Sequence, residues 1–259
     1  MKDQGMKAGA AIVTIAVSIG LFGCGGTKIL KEPEPLVVTQ SLANSTDQRI
    51  SATLDWVVVR GGPGTWAKNA DWDEYLIRVR NVGDDSLQVT NVAVVDSLGT
   101  RVEAGTDRKQ LVKGAKQAER RYKGQGLKVK AGAGAKTLMV SGAVTAAAVL
   151  SVGAAAAFGG PMLAGAALGG IVLAPVLAVG GVFRGVNNGK VSNQIEFRYT
   201  PMPVALKNGE ESALNIFFPL SPSPRQIELT YVDSEGEHVI VVDTQAALNG
   251  LHLVPPPEK

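Results

Sequence analysis

Two stretches of the chain alternate apolar and polar residues with a period of two, and the long stretch between them does not. Ile50, Ala52, Leu54, Trp56 and Val58 interleave with Ser51, Thr53 and Asp55, and Tyr75, Ile77 and Val79 interleave with Arg78 and Arg80. Successive side chains of a strand point to opposite faces, so this is the pattern of sheets with one buried face. Leu87 and Val89 keep one parity and Val92 and Val94 the other, which a bulge near Thr90 and Asn91 reconciles. Asn81-Val82-Gly83-Asp84 and Asp96-Ser97-Leu98-Gly99 supply turns. The alternation resumes at Ile195, Phe197 and Tyr199, then at Leu214, Ile216 and Phe218, at Ile227, Leu229 and Tyr231, and at Val239 and Val241, with Asn208-Gly209 as a turn. Residues 36–106 and 190–254 together predict about seven to nine strands in roughly 130 residues, the size of one sandwich, and neither half closes its sheets alone. The expected fold is mainly β: an immunoglobulin-like β-sandwich interrupted by an insertion.

The insertion has two parts. Over residues 107–136 the sequence predicts a basic helix and a flexible joint. Thr106 is the expected N-cap, Leu111, Ala115, Ala118 and Tyr122 form one apolar stripe, and Lys109, Lys113, Lys116, Arg120 and Arg121 lie on the other faces. Gly124, Gly126, Gly132 and Gly134 make the joint. The second part, 137–185, predicts a glycine- and alanine-rich helical hairpin. No charge falls between Thr137 and Phe183, and Phe158-Gly159-Gly160-Pro161 divides the run into two arms of about 20 residues, each long enough to span roughly 30 Å of hydrocarbon. Gly165 and Gly169, and Gly181 and Gly185, are GxxxG pairs that let helix backbones approach closely, while Pro175 kinks the second arm. A sandwich of about 130 residues has no core large enough to bury this run, which points to membrane insertion or burial in an oligomer.

Composition narrows the function. Hydrophobic residues make up 45% of the 259 but aromatics only 5%, with 31 glycines, so the apolar character comes from small residues that pack backbones closely and cannot shape an elaborate pocket. Two histidines and one cysteine leave little for metal sites or His-based acid/base chemistry and exclude an internal disulfide. The net charge of +3 is unevenly placed: Arg108 to Lys136 holds ten Lys/Arg against the single Glu119. Without interleaved aromatics this favours anionic lipid head groups over nucleic acid, with Lys113, Lys116, Arg120 and Arg121 as the expected membrane-surface residues.

At the N-terminus, Lys2 and Lys7 precede an apolar run from Ala8 to Phe22, too short for a comfortable span and flanked as a secretory signal is. Met6 makes a cleaner start than Met1. The run ends in Leu21-Phe22-Gly23-Cys24, which resembles the lipobox of bacterial lipoproteins, with Phe22 where a small residue is usual. The resemblance implies a signal peptide over 1–23, lipidation of Cys24 as the new N-terminus and, because Gly25 stands where an aspartate retains lipoproteins in the inner membrane, sorting to the outer membrane. Residues 24–35 read as a polar, proline-bearing tether and 255–259 as a tail. Lys136 and Arg184 flank the hairpin as cytoplasmic loops do, but the order of segments favours export.

Other motifs carry less. Ala131 to Thr137 lacks the glycines of a phosphate-binding loop, and His238 and His252 have no cysteine partner. Trp66, Asp71, Trp72, Asp73 and Glu74 suit a cation or a glycan, but better a connecting loop whose tryptophans cover a sandwich end. No nucleophile and base can be paired by spacing. The layout resembles in outline the surface-exclusion lipoproteins of conjugative plasmids, in its lipobox and glycine-rich hairpin. The expectation is a membrane-anchored lipoprotein with a structural, oligomeric role at the envelope, without catalysis, cofactor or metal; the alternative is a lipid-anchored module whose sandwich recognises a protein partner.

Overall fold

The computed structural model describes residues 27–33, 36–135, 171–173 and 187–255. In chain order the strands are β1 (Lys28–Ile29), β2 (Leu36–Val38), β3 (Ala43–Thr46), β4 (Ile50–Val58), β5 (Ala67–Lys68), β6 (Trp72–Asn81), β7 (Leu87–Val95) and β8 (Arg101–Glu103). Helix α1 (Arg108–Gly124) follows, then β9 (Ile171–Leu173) and α2 (Asn187–Arg198). The chain closes with β10 (Val204–Leu206), β11 (Glu211–Pro219), β12 (Gln226–Asp233), β13 (Gly236–Asp243) and a short α3 (Gln245–Leu248). Among the described residues the protein is mainly β, and every strand pair is antiparallel.

Two principal sheets form the sandwich. One runs β11-β6-β4-β3; the other runs β10-β7-β12-β13, with β8 also on β7. Both halves of the sequence contribute to both sheets, so the insertion does interrupt a single sandwich. One continuous core lies between the sheets, with Leu54, Ile77, Val79, Leu214 and Phe218 from the first and Val89, Val94, Ile227 and Leu229 from the second. Each such side chain contributes about 1.5–3 kcal/mol when fully buried. The bulge expected in β7 is at Thr90: Thr230 pairs with Asn91 and Tyr231 with Val89, so one residue is left over where the parity changes. A second register shift occurs between Leu54 and Trp56, and Arg78 fixes the intervening Asp55 with two bonds of 2.7 and 2.9 Å.

Several expectations are corrected. Ile195, Phe197 and Tyr199 do not begin a strand: Ile195 and Phe197 lie in α2, where Val191 and Ile195, four apart, are fully buried and Phe197 is exposed. A spacing of four puts two side chains on one helix face, and that pair outweighed the period-two pattern. In β13 the core-facing residues are Ile240 and Val242, and Val239 and Val241 face solvent. The unbroken apolar run hides its own parity, which pairing with Leu229 and Ile227 sets. The N-cap of α1 is Asp107, not Thr106: its carboxylate accepts from the backbone of Lys109 at 2.7 Å and of Gln110 at 3.1 Å. Ile171–Leu173, expected within a helical arm, is extended and pairs with Leu36–Val38.

Candidate functional site

The loops at the two ends of the sandwich differ in chemistry. One end carries the turn after β4, the segment from Arg60 to Asp71, and the two helices. Here α1 and α2 cover the outer face of β6 and β11, and a second apolar cluster forms from Trp66, Trp72, Leu111, Val191, Ile195 and Phe217. That cover explains why Trp72 to Ile77 in β6 and Leu214 to Pro219 in β11 are buried without a break, while Glu211 at the start of β11 is exposed. The stripe Leu111, Ala115, Ala118 and Tyr122 is the buried side of α1, as its spacing predicts. The tryptophans close this end.

Two buried polar constellations fix the arrangement. Glu74 accepts from the Trp66 indole at 2.8 Å and pairs with Arg198 at the end of α2, at 2.9 Å to Nε and 2.8 Å to the terminal nitrogen. The Arg198 guanidinium also lies 5.6 Å from the Trp66 ring centre, where the ring quadrupole attracts a cation. Asp73 meets His252 Nε2 at 2.7 Å, and both side chains are fully buried. His252 Nδ1 accepts from the Gly132 amide at 3.1 Å, which leaves Nε2 as the nitrogen that donates to Asp73. Tyr75, fully buried two residues along, is held well above the usual tyrosine range by desolvation and then by the Asp73 charge. The cavity beside Trp66 and Glu74 is about 10 Å³, room for one water and far below the roughly 300 Å³ of a small-molecule site.

The segment expected as a flexible joint is pinned instead. Lys130 donates to the His252 carbonyl and Val254 to that of Lys128, both at 2.9 Å, and His252 donates to that of Ala133 at 2.6 Å. Gly132, at φ +76°, leaves no room for a side chain: a Cβ there would sit 2.3 Å from the Arg60 carbonyl oxygen. Glycine serves here for close approach.

The tether is likewise docked along part of its length. Thr27 is buried, donating to the Asn69 carbonyl at 3.4 Å and accepting from Arg108 Nε at 3.2 Å. β1 pairs with β5, and Leu30 donates to the Trp66 carbonyl at 2.8 Å. The backbone of Trp66 and the edge of β5 capture a segment whose own composition is that of a linker.

Lys113, Lys116 and Arg120 are exposed on α1. Arg121 turns toward the sandwich and pairs with the buried Asp96 at 3.2 Å, while Tyr122 donates to the Pro222 carbonyl at 3.0 Å. Cys24, Gly165, Gly169, Gly181 and Gly185 lie outside the described residues. Among the described residues no helix is long and apolar enough to cross a membrane, and no cluster of His, Cys, Asp and Glu is arranged to hold a metal.

The opposite end is polar. Arg49 pairs with Asp233 and Glu235, His238 Nε2 is 3.2 Å from Asp233, and Tyr231 stacks on His238 with centroids 5.3 Å apart and donates to Asp47 at 3.0 Å. The guanidinium of Arg49 holds the Asp233 carboxyl down at about 2. Burial, and then the bond to Asp47, pushes the Tyr231 hydroxyl up to about 12.

No protein-family model and no curated protein sequence matches the chain. The solved structure of YcdA, a candidate lipoprotein of Bacillus subtilis, aligns with a TM-score of 0.30 at 9% identity over 80% of this chain, and the chain spans 40% of that one. A likeness at that level fixes neither fold nor function.

Proposed function

We propose that this chain is a lipid-anchored lipoprotein of the bacterial cell envelope, sorted to the outer membrane, with a structural and oligomeric role and no catalysis. The observation that carries the reading is Cys24, the single cysteine of the chain, placed directly after an apolar run in Leu21-Phe22-Gly23-Cys24. A thiol at that one position is what lipid transfer requires. Two or more acyl chains, at about 0.8 kcal/mol per buried methylene, give stable anchoring. Support for a structural role comes from the glycine-rich stretch 137–185, uncharged from Thr137 to Phe183, whose GxxxG pairs Gly165/Gly169 and Gly181/Gly185 suit helix packing between copies. Intact mass of the mature protein tests the anchor: acyl mass on Cys24, absent in Cys24→Ser, is expected, and a bare Cys24 thiol ends the reading. Native mass in detergent tests the oligomer, which Gly165→Leu together with Gly169→Leu should shrink.

A further inference from the structure

The described points at which the chain leaves for its anchor and its uncharged run fall on one end of the sandwich. Thr27, three residues after Cys24, is buried against Asn69 and Arg108. Ala135, just before the uncharged run, follows a segment packed on Arg60. Helix α2, which begins where the run ends, packs against both β1 and α1.

Charge on this end is unbalanced. β1 and β5 place Lys28 directly opposite Lys68, and both are exposed. Like charges facing each other across a strand pair oppose the pairing, and among the described residues neither lysine has an ion-pair partner. Of the carboxylates of this end, Asp71 pairs with Arg60, Glu74 with Arg198 and Asp73 with His252, Asp107 caps α1, and Glu32 and Glu196 are exposed, fewer than the lysines around them. Ile29, between Lys28 and Lys31, is 40% exposed. The far end has the reverse balance, with Asp47, Asp84, Asp85, Glu210, Asp233 and Glu235 against Arg49, Arg80 and Lys207. The sandwich is electrically polar along its length.

Resting on the lipoprotein reading, we propose that the end built from β1, β5 and the first turns of α1 is a docking face for anionic lipid head groups of the leaflet that holds the Cys24 acyl chains. Lys28, Lys68 and Lys31 form its centre, and Lys109 and Lys113 extend it. Reach fixes the geometry: three residues span at most about 11 Å, so Thr27 cannot stand further than that from the lipidated residue. The Debye length at physiological salt is about 8 Å, so the lysines act on the surface when the link to Cys24 is drawn in short of its full reach, and their pull weakens as salt is raised. The head groups supply the counter-charge that the Lys28–Lys68 pair lacks, and the acidic far end is repelled outward. The sandwich therefore stands on the membrane instead of swinging on a tether.

The experiment uses the full, acylated protein reconstituted in vesicles of phosphatidylcholine with or without phosphatidylglycerol. With Cys24 acylated, Ile29→Cys or Ser234→Cys provides the single free thiol for a fluorophore, read by a quencher attached to lipid head groups. Strong quenching at 29 and weak quenching at 234 is expected. Adding Lys28→Gln and Lys68→Gln should lower the docked-to-undocked ratio about ten-fold or more in vesicles with phosphatidylglycerol, since each lysine near an anionic surface is worth roughly five-fold, and should change little without it. Equal quenching at 29 and 234 in acylated protein overturns the docking face while leaving the anchor intact. So does insensitivity to the lysines, or a Lys28/Lys68 requirement for an acidic protein partner but not for lipid. A Cys24 without acyl mass removes the anchor reading itself, and the close approach with it.

Discussion

Arg198→Met is the sharpest test of how the helices are held on the sandwich. Glu74 is 1% exposed and Arg198 15%, so the pair sits where removing the guanidinium leaves an uncompensated buried carboxylate. Breaking a buried pair from one side costs about 3–5 kcal/mol. The Trp66 indole still donates to Glu74, which places the loss near the lower figure, about 3 kcal/mol. With a urea m-value of about 2 kcal/mol/M, the unfolding midpoint should fall by roughly 1.5 M, followed by tryptophan fluorescence. Adding Glu74→Gln should recover at least half of that loss, because an amide keeps the acceptor for Trp66 and has no charge to desolvate. A midpoint shift below about 0.5 M, or a double variant no better than Arg198→Met alone, would refute the claim that this pair locks α2 onto β6.

Gly132→Ala meets both a positive φ and a Cβ position 2.3 Å from the Arg60 carbonyl, so it should cost at least about 2 kcal/mol and lower Tm by about 4 °C or more. Gly126→Ala, at φ +74° with open space around it, should cost about half as much, and equal effects would mean the segment is loose. Because the Asp233 carboxyl is depressed to about 2 by Arg49, its contribution is fully present above about pH 4 and is lost as pH falls through 2. Asp233→Asn should therefore flatten the urea midpoint against pH over that range, and an unchanged acid limb would count against the pairing.

The strands β4, β6, β7, β11 and β12 were legible from their period of two, down to the bulge at Thr90, because a buried face imposes that period along the chain itself. So was the buried stripe of α1, for the same local reason at a helical period. What was not legible depends on partners remote in sequence. The parity of Val239 to Val242 is set by β12, and helix in place of strand at Ile195 is set by the cluster around Trp66 and Phe217. The tether and the glycine joint have the composition of loose segments, yet they are fixed by Asn69, Trp66, His252 and Arg60, contacts that no local pattern announces. For the candidate site, the proposed anchor at Cys24 and the basic character of α1 rest on the sequence by itself, because a lipobox-like motif and a charge run are local. Only the tertiary structure brought Lys28 against Lys68 and Glu74 to Arg198, 124 residues away, and gathered the exits of the chain on one end. Pairing across such separations is decided by which edges and faces remain unsatisfied once the sheets have closed.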